Sequence, residues 1–404
     1  MSFRIALSGL NAASSDLNVI ANNIANVGTT GFKASRAEFA DVFANSAQSL
    51  GTSRIGSGVR VSDVAQQFGQ GNIEFTENAL DLAISGDGFF TLDDNGSQVY
   101  SRAGAFKVNR DGEVVNSLGQ SLQVFPALAG GRFDTGSLTS LRLSSADNAP
   151  AATTGLDVEA NLPASATAPA LAFDATDPET FNHTTSATVY DSLGASHAAT
   201  LYFVKGATPN TWDVHTAIDG TLVGGANTIT YDSSGALTTP ANGEIVLPTY
   251  VLANGAAPLD ITLEMGASTQ YGESFSVASL TQDGFATGRI TGIEVTQEGI
   301  VQARYSNGQS NALGQVALTR FANPQGLEQL GDSTWGSTFA AGEPLRGSAG
   351  SSDLGLIQSG ALEGSNVDLT EQLVDMITAQ RNFQANSQMI STADTITQTI
   401  INLR

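Results

Sequence analysis

Apolar side chains recur every seven residues at both ends of the chain and lose that rhythm in between. Near the N-terminus Phe3, Leu10, Leu17 and Ile24 are spaced by seven, and Ala6, Ala13, Ile20 and Val27 fill the second apolar position of the same heptad. This a/d seam predicts a helix over residues 3–27, about 40 Å long at about 1.5 Å per residue. Gly28 stands where a glycine closes a helix. Away from the seam only Arg4 and Asp16 are charged, among Ser, Asn and Ala. Small neutral residues suit burial against other helices or the lining of a polar channel, and an ordinary domain-packing helix is the alternative.

The C-terminal stretch mirrors the first. Leu369, Met376, Phe383, Ile390 and Thr397 recur every seven, with Ala379, Ala393 and Ile400 in the seam and Leu373 and Ile401 on its flank. Neither Gly nor Pro interrupts Ser365 to Arg404. Ser365 with Asp368, or Asp368 with Glu371, supplies an N-cap signature.

The middle follows strand and turn patterns. Residues 29–70 are irregular, with a short helical candidate at Ala34–Ala47 and a loop at Gly51–Gly58. From Gly71 the β signals begin. Ile84–Leu92 reads as a strand pair turning at Gly86–Gly88, and Asp93–Gly96 as a turn. Phe106–Val115 is a hairpin about Asp111-Gly112, and a like unit returns at Ile293–Val301 about Glu298-Gly299. Two related β segments far apart predict one domain split by an insertion. The insertion is visible in composition. Residues 146–284 hold one basic residue, Lys205, 15 acidic ones and eight of the eleven prolines. Thr188–Tyr190, Thr200–Val204, Ile245–Leu247 and Ile261–Leu263 read there as strands of an all-β domain with a solvated acidic exterior.

Charge then narrows the function. The net charge of -22 argues against nucleic acid or an anionic membrane surface as partner, since both need a basic footprint. Cysteine is absent, which excludes disulfides, thiol catalysis, zinc–thiolate sites and iron–sulfur clusters. No run reaches the roughly 18 apolar residues of a membrane span. Nor does the N-terminus carry the apolar core of a cleavable signal peptide. His183, His197 and His215 match no metal spacing and read as neutral surface or turn residues. Asp93-Asp94 and Asp174/Asp177 lack the ligand spacing of a calcium loop. No phosphate loop, dinucleotide fingerprint or nucleophile elbow occurs, so no catalytic residue, cofactor or metal site is expected.

The ends and the β flanks carry longer motifs. Ser8–Ala12, Ile20–Asn26 and Thr29–Lys33 strongly resemble the N-terminal signature of the flagellar rod and hook axial protein family. Ile84–Phe90, Tyr100–Phe106, Asn109–Glu113 with Gly119-Gln120, Gly360–Leu369, Met376–Asn386 and Thr392–Asp394 resemble that family's other motifs. The resemblance covers about 1–125 and 285–404, and the insertion carries no diagnostic motif. It implies an α+β, mostly β protein in four parts. These are a coiled-coil-like inner helical domain (1–28 and 361–404), a connecting segment (29–70), a split β domain (71–145 and 285–360) and an inserted all-β outer domain (146–284). It implies a non-enzymatic homopolymer, with rod proteins, a hook cap and hook–filament junction proteins as neighbours. It also implies extracellular assembly after unfolded passage through the flagellar type III export apparatus, without a cleaved signal. The extra β domain favours the curved, torque-transmitting hook over its alternative, the straight distal rod. Phe3, Leu10, Leu17, Ile20, Ile24, Val27, Leu369, Leu373, Met376, Phe383, Ile390 and Ile400 are the expected polymerisation residues. A hydrolase or carbohydrate-binding module on the insertion is the third reading.

Overall fold

Two helices bracket the chain in the computed structural model, α1 (Ser2–Ala25) and α2 (Leu369–Asn402). The structure describes residues 2–42, 56–128, 130–143, 146–351 and 353–402. α1 stops at Ala25, two residues before the end of its heptad pattern. Asn26 N–H bonds back to the Asn22 carbonyl and Thr29 Oγ1 donates to Asn26 Oδ1. Val27 therefore lies outside the helix. At the start of α2 the cap is Asp368, whose Oδ1 accepts the N–H groups of Thr370 (2.8 Å) and Glu371 (3.1 Å).

The expected helix at Ala34–Ala47 is not formed over its described residues. Ser35–Asp41 is instead a strand (β1), antiparallel to Val59–Gln66 (β2) with Ser35 opposite Gln66. The reason is tertiary. Ala34 N–H donates to Asn366, and both backbone groups of Ser35 are taken by the Asn23 amide. A helix would need those groups for itself. Residues 43–55, which include most of the expected Gly51–Gly58 loop, lie outside the described ones.

The chain divides into two compact units. The first comprises Met1–Ser145, Gly292–Arg304 and Ser310–Arg404; the second comprises Ala146–Thr291 with Tyr305–Gln309. In the first, strand Ser310–Arg320 is the hub of a large sheet. It pairs antiparallel with Ile300–Tyr305, Ser121–Pro126, Phe89–Asp94 and Leu345–Ser348. Leu82, Ile84, Phe90, Leu92, Leu122 and Leu318 form its core, all about 1% exposed or less. A second cluster gathers Phe89, Tyr100, Phe321 and Trp335 edge to face. Residues 84–92 do not form the expected hairpin. Leu82–Ser85 pairs with Leu356–Ser359, while Phe89–Asp94 pairs with Ser97–Ser101. Gly86, at φ +115, lets the chain at Gly355 pass within 3.0 Å of where a Cβ would stand, and Gly355 N–H donates to the Asp87 carbonyl. Asn95 and Gly96, both at positive φ, close the Phe89–Asp94 and Ser97–Ser101 hairpin.

The second unit is all β. Strands Glu244–Val246, Thr262–Glu264, Gly155–Asn161 and Ser276–Gln282 make one sheet. His183–Tyr190, Ser196–Lys205, Thr211–Ile218, Asn227–Tyr231 and Leu237–Thr239 form the path of the other. Both sheets contribute to one core, with Trp212 and Phe203 fully buried. Strand Ser196–Lys205 alternates as the period of two requires: Ala199, Leu201 and Phe203 are buried, and the residues between them are partly open.

The histidines differ from the surface residues expected. His183 stacks on Phe275 (4.5 Å) and His215 on Phe173 (3.8 Å), and burial lowers the pKa of each. His197 is mostly buried between two aspartates. Phe275, Phe173 and the Asp191 and Asp219 turns, brought up by the tertiary fold, cover them.

Candidate polymerisation interface

α1 and α2 pack against each other in the first unit. They run antiparallel, because Gly9 meets Asn386 while Asn23 meets Gln372. A Cβ on Gly9 would stand 2.5 Å from Asn386 Oδ1, so a side chain here would force the Asn386 amide to move. Glycine inside a helix costs about 1 kcal/mol relative to alanine, and close approach of the helices offsets it. On α2 the covered positions are Gln372, Met376, Ala379, Phe383, Asn386, Ile390 and Ala393. Their alternating steps of four and three are those of a coiled-coil seam.

The expected interface residues divide into groups. Ile20 is buried, and Leu10, Leu17 and Ile24 are half-buried on α1. Met376, Phe383 and Ile390 are half-buried on α2. Phe3, Val27, Leu369 and Leu373 are exposed instead. The Ile400 side chain lies outside the described ones. Leu7, Val374, Ile377, Met389, Ile396 and Ile401 join the exposed group, so that described apolar side chains of the two helices stand 42–66% open. Leu369, Leu373 and Ile377 are four apart and form a stripe on α2 beside the face turned to α1. A helix apolar on more than one side is one built to be surrounded.

A polar junction fixes where the helices leave the β body. The Asn23 amide donates to Ser35 O (2.8 Å) and Gln372 Oε1 (2.9 Å) and accepts from Ser35 N–H (2.9 Å), joining α1, β1 and α2. Asn366 accepts from Ala34 N–H and donates to the carbonyls of Gln67 and Gly69. Deeper, Lys33 Nζ donates to Glu363 Oε1 (2.6 Å) and Gly69 O (2.8 Å), and Arg102 Nη1 to Glu363 Oε2 (3.1 Å). Gly71 N–H also donates to Glu363. Burial, only partly opposed by Glu363 and reinforced by Arg102, holds the Lys33 pKa below the ordinary lysine value. Arg102 also lies over the Phe89 ring at 5.6 Å. Removing the shared Glu363 carboxylate leaves buried positive charge uncompensated, at about 3–5 kcal/mol.

None of Asn23, Lys33, Arg102, Glu363 or Asn366 was assigned a role from periodicity. Their signal is that they are polar residues inside mostly neutral or apolar motifs of a chain only 14% charged. Beside the junction, α1, β1 and α2 border a groove of about 540 Å³ with Asp16, Asp368, Glu371 and Asp375 on its walls. Burial first, and Asp375 second, raise the Asp16 pKa. Among the described residues no group of three or more His, Asp or Glu is placed to hold a metal ion. Among them, too, no helix is long and apolar enough to cross a membrane.

Family descriptions match along the chain. "Flagella basal body rod protein" covers residues 3–33, and "Flagellar hook protein FlgE/F/G D1 domain" covers 83–168. "Flagellar basal body protein FlaE D2 domain" covers 161–285, and "Flagellar basal body rod FlgEFG protein C-terminal" covers 358–403. The flagellar hook protein FlgE of Escherichia coli (strain K12) is 38% identical over 414 residues, with all of both chains covered. That of Rhizobium meliloti (strain 1021) is 34% identical, covering 99% of this chain and 98% of the relative. That of Borreliella burgdorferi is 32% identical, covering 98% of each. Among solved structures, the Helicobacter pylori flagellar hook protein FlgE2 shares the fold at TM-score 0.55 and 14% identity. It aligns with 72% of this chain and all of that one.

Proposed function

Because the chain belongs to the flagellar hook protein family, we propose that it polymerises through α1 and α2 into a curved tube that carries motor torque from rod to filament. The observation that carries this reading is the state of the helices. They satisfy part of their apolar surface on each other and leave the rest open, 42–66% exposed in a single chain. Leu369, Leu373 and Ile377 are the sites for neighbouring copies, and Leu10, Leu17, Met376 and Phe383 hold the helix pair that presents them. A tube of packed helices resists twist. The second unit, with most of the acidic excess, makes weak and easily remade contacts as the tube bends. The chain is exported unfolded, without a cleaved signal, and assembles outside the cell among rod, cap and junction proteins. It has no catalytic role.

Ile377→Asp tests this. The side chain is half exposed in the single chain, so the monomer should fold with an unchanged Tm. In the polymer a buried, unpaired carboxylate would cost several kcal/mol at every copy. Expected is normal monomer and no hooks by electron microscopy. Normal hooks from the variant would remove this face of α2 from the interface.

A further inference from the structure

The second unit holds a histidine whose two ring nitrogens both face carboxylates. His197 Nδ1 is 2.6 Å from Asp219 Oδ2, and Nε2 is 3.4 Å from Asp191 Oδ2. The imidazole is 12% exposed and the Asp191 side chain is fully buried. A carboxylate oxygen only accepts, so both contacts are attractive only when both ring nitrogens carry protons. A neutral ring has one N–H. The shorter bond to Asp219 keeps it, and the other nitrogen then turns a lone pair toward Asp191.

Each carboxylate also organises a turn. Asp191 Oδ1 accepts the N–H groups of Leu193 (2.9 Å) and Ala195 (2.8 Å), and its Oδ2 accepts from Asn254 (2.5 Å). Asp219, at φ +48, accepts from Ala198 N–H (2.9 Å) and opens the turn at Gly220. Ala257 N–H donates to Ser192 Oγ (2.8 Å), a second tie between the 191–195 turn and the loop bearing Asn254. Gly194 in the same turn rests on the ribbon through which the chain passes into and out of this unit. A Cβ there would be 3.0 Å from Pro150 and 3.2 Å from Thr287 N. That ribbon is bridged at Asn148–Gly288 and Ala151–Phe285.

Among the described residues the charged groups facing the ring are Asp219, from the turn after strand Thr211–Ile218, and Asp191, from the turn after strand His183–Tyr190; the 251–257 loop brings neutral Asn254. The Asp219 bond first, and Asp191 with it, outweigh burial and raise the His197 pKa. Burial opposes the charge on Asp191, but Asn254, Ala195, His197 and Leu193 together bring its pKa to about 2.

We infer that His197 is a pH-sensitive latch: as imidazolium it ties the 191–195 turn, the 219–220 turn and the Asn254 loop together, and as neutral imidazole it releases the Asp191 side and loosens the turn that bears on the ribbon. The folded ring holds its proton more tightly than the unfolded one. The stabilisation is therefore complete below the unfolded value of 6.5 and is lost as pH rises through the folded value.

The test uses the full chain with ¹⁵N-labelled histidine, which gives three imidazoles to follow. His197 should keep both protons to higher pH than His183 and His215. The Tm difference between the wild type and His197→Gln should be largest near about pH 6 and shrink above the folded value. Amide exchange at Leu193 and Ala195, corrected for intrinsic rates, should accelerate over the same rise in the wild type and not in the variant. The latch is overturned by a His197 that titrates with or below the other two, or by a variant with the wild-type pH dependence of unfolding. The titration and the wild-type amide exchange need no variant, so together they decide the matter even if His197→Gln does not fold.

Discussion

Lys33 and Glu363, 330 residues apart, meet in a 2.6 Å ion pair with both side chains closed to solvent. Glu363 also receives Arg102, so one carboxylate serves two cations. Glu363→Gln should cost about 3–5 kcal/mol in the first unit, because both cations then remain buried without a counter-charge. Lys33→Met should cost less, since the Arg102–Glu363 pair survives it. Denaturant unfolding of the two variants compares them, and equal losses would show that Arg102 takes no share of the carboxylate.

Gly9 and Asn386 set the helix crossing. Gly9→Ala should gain about 1 kcal/mol of helix propensity, yet its methyl would meet Asn386 at 2.5 Å. Expected is a lower Tm for Gly9→Ala and recovery in Gly9→Ala/Asn386→Ala. A single variant more stable than wild type would mean that Asn386 swings aside freely.

The half-buried His183 and His215 should oppose His197 in their response to pH. Burial lowers His183 and His215, so the unfolded chain binds their protons more readily than the folded one. Their contribution is present above the unfolded value of 6.5 and is lost as pH falls toward their folded values. In His215→Gln the Tm should fall less between about pH 7 and pH 5 than in the wild type. An unchanged slope would place the His215 titration at its ordinary value.

Deleting residues 146–291 should leave the first unit able to fold, because its core residues come from outside that segment. The bridge between Asn148 and Gly288 brings the two ends of the segment together, so a short Gly-Ser linker spans the gap. Electron microscopy of the deleted chain should show tubes that are straighter than intact hooks. Tubes of intact curvature would place the source of curvature in the first unit.

Leu10, Leu17, Ile24, Met376, Phe383 and Ile390 could be read as helix stripes because a seven-residue repeat is local: each turn announces the next. Asp368 could be read as a cap for the same reason, with Ser365 as its rival, and the N–H groups of Thr370 and Glu371 bond Asp368. The β character of the middle and the acidic segment at 146–284 also lay in the sequence, in its alternation and its counts.

Partners across long separations did not. Ser35–Asp41 is a strand because Asn23 and Asn366 claim the backbone at its start, a competition between segments that no window of sequence contains. Gln372 and Asn386 are polar and fall outside the apolar repeat, and only the packed helices put them in the seam. Leu369 and Leu373 are apolar yet exposed, since the antiparallel docking of α1 fixes which side of α2 is covered. Periodicity tells that a face exists; burial and charge pairing, which depend on every neighbour in three dimensions, decide what meets it.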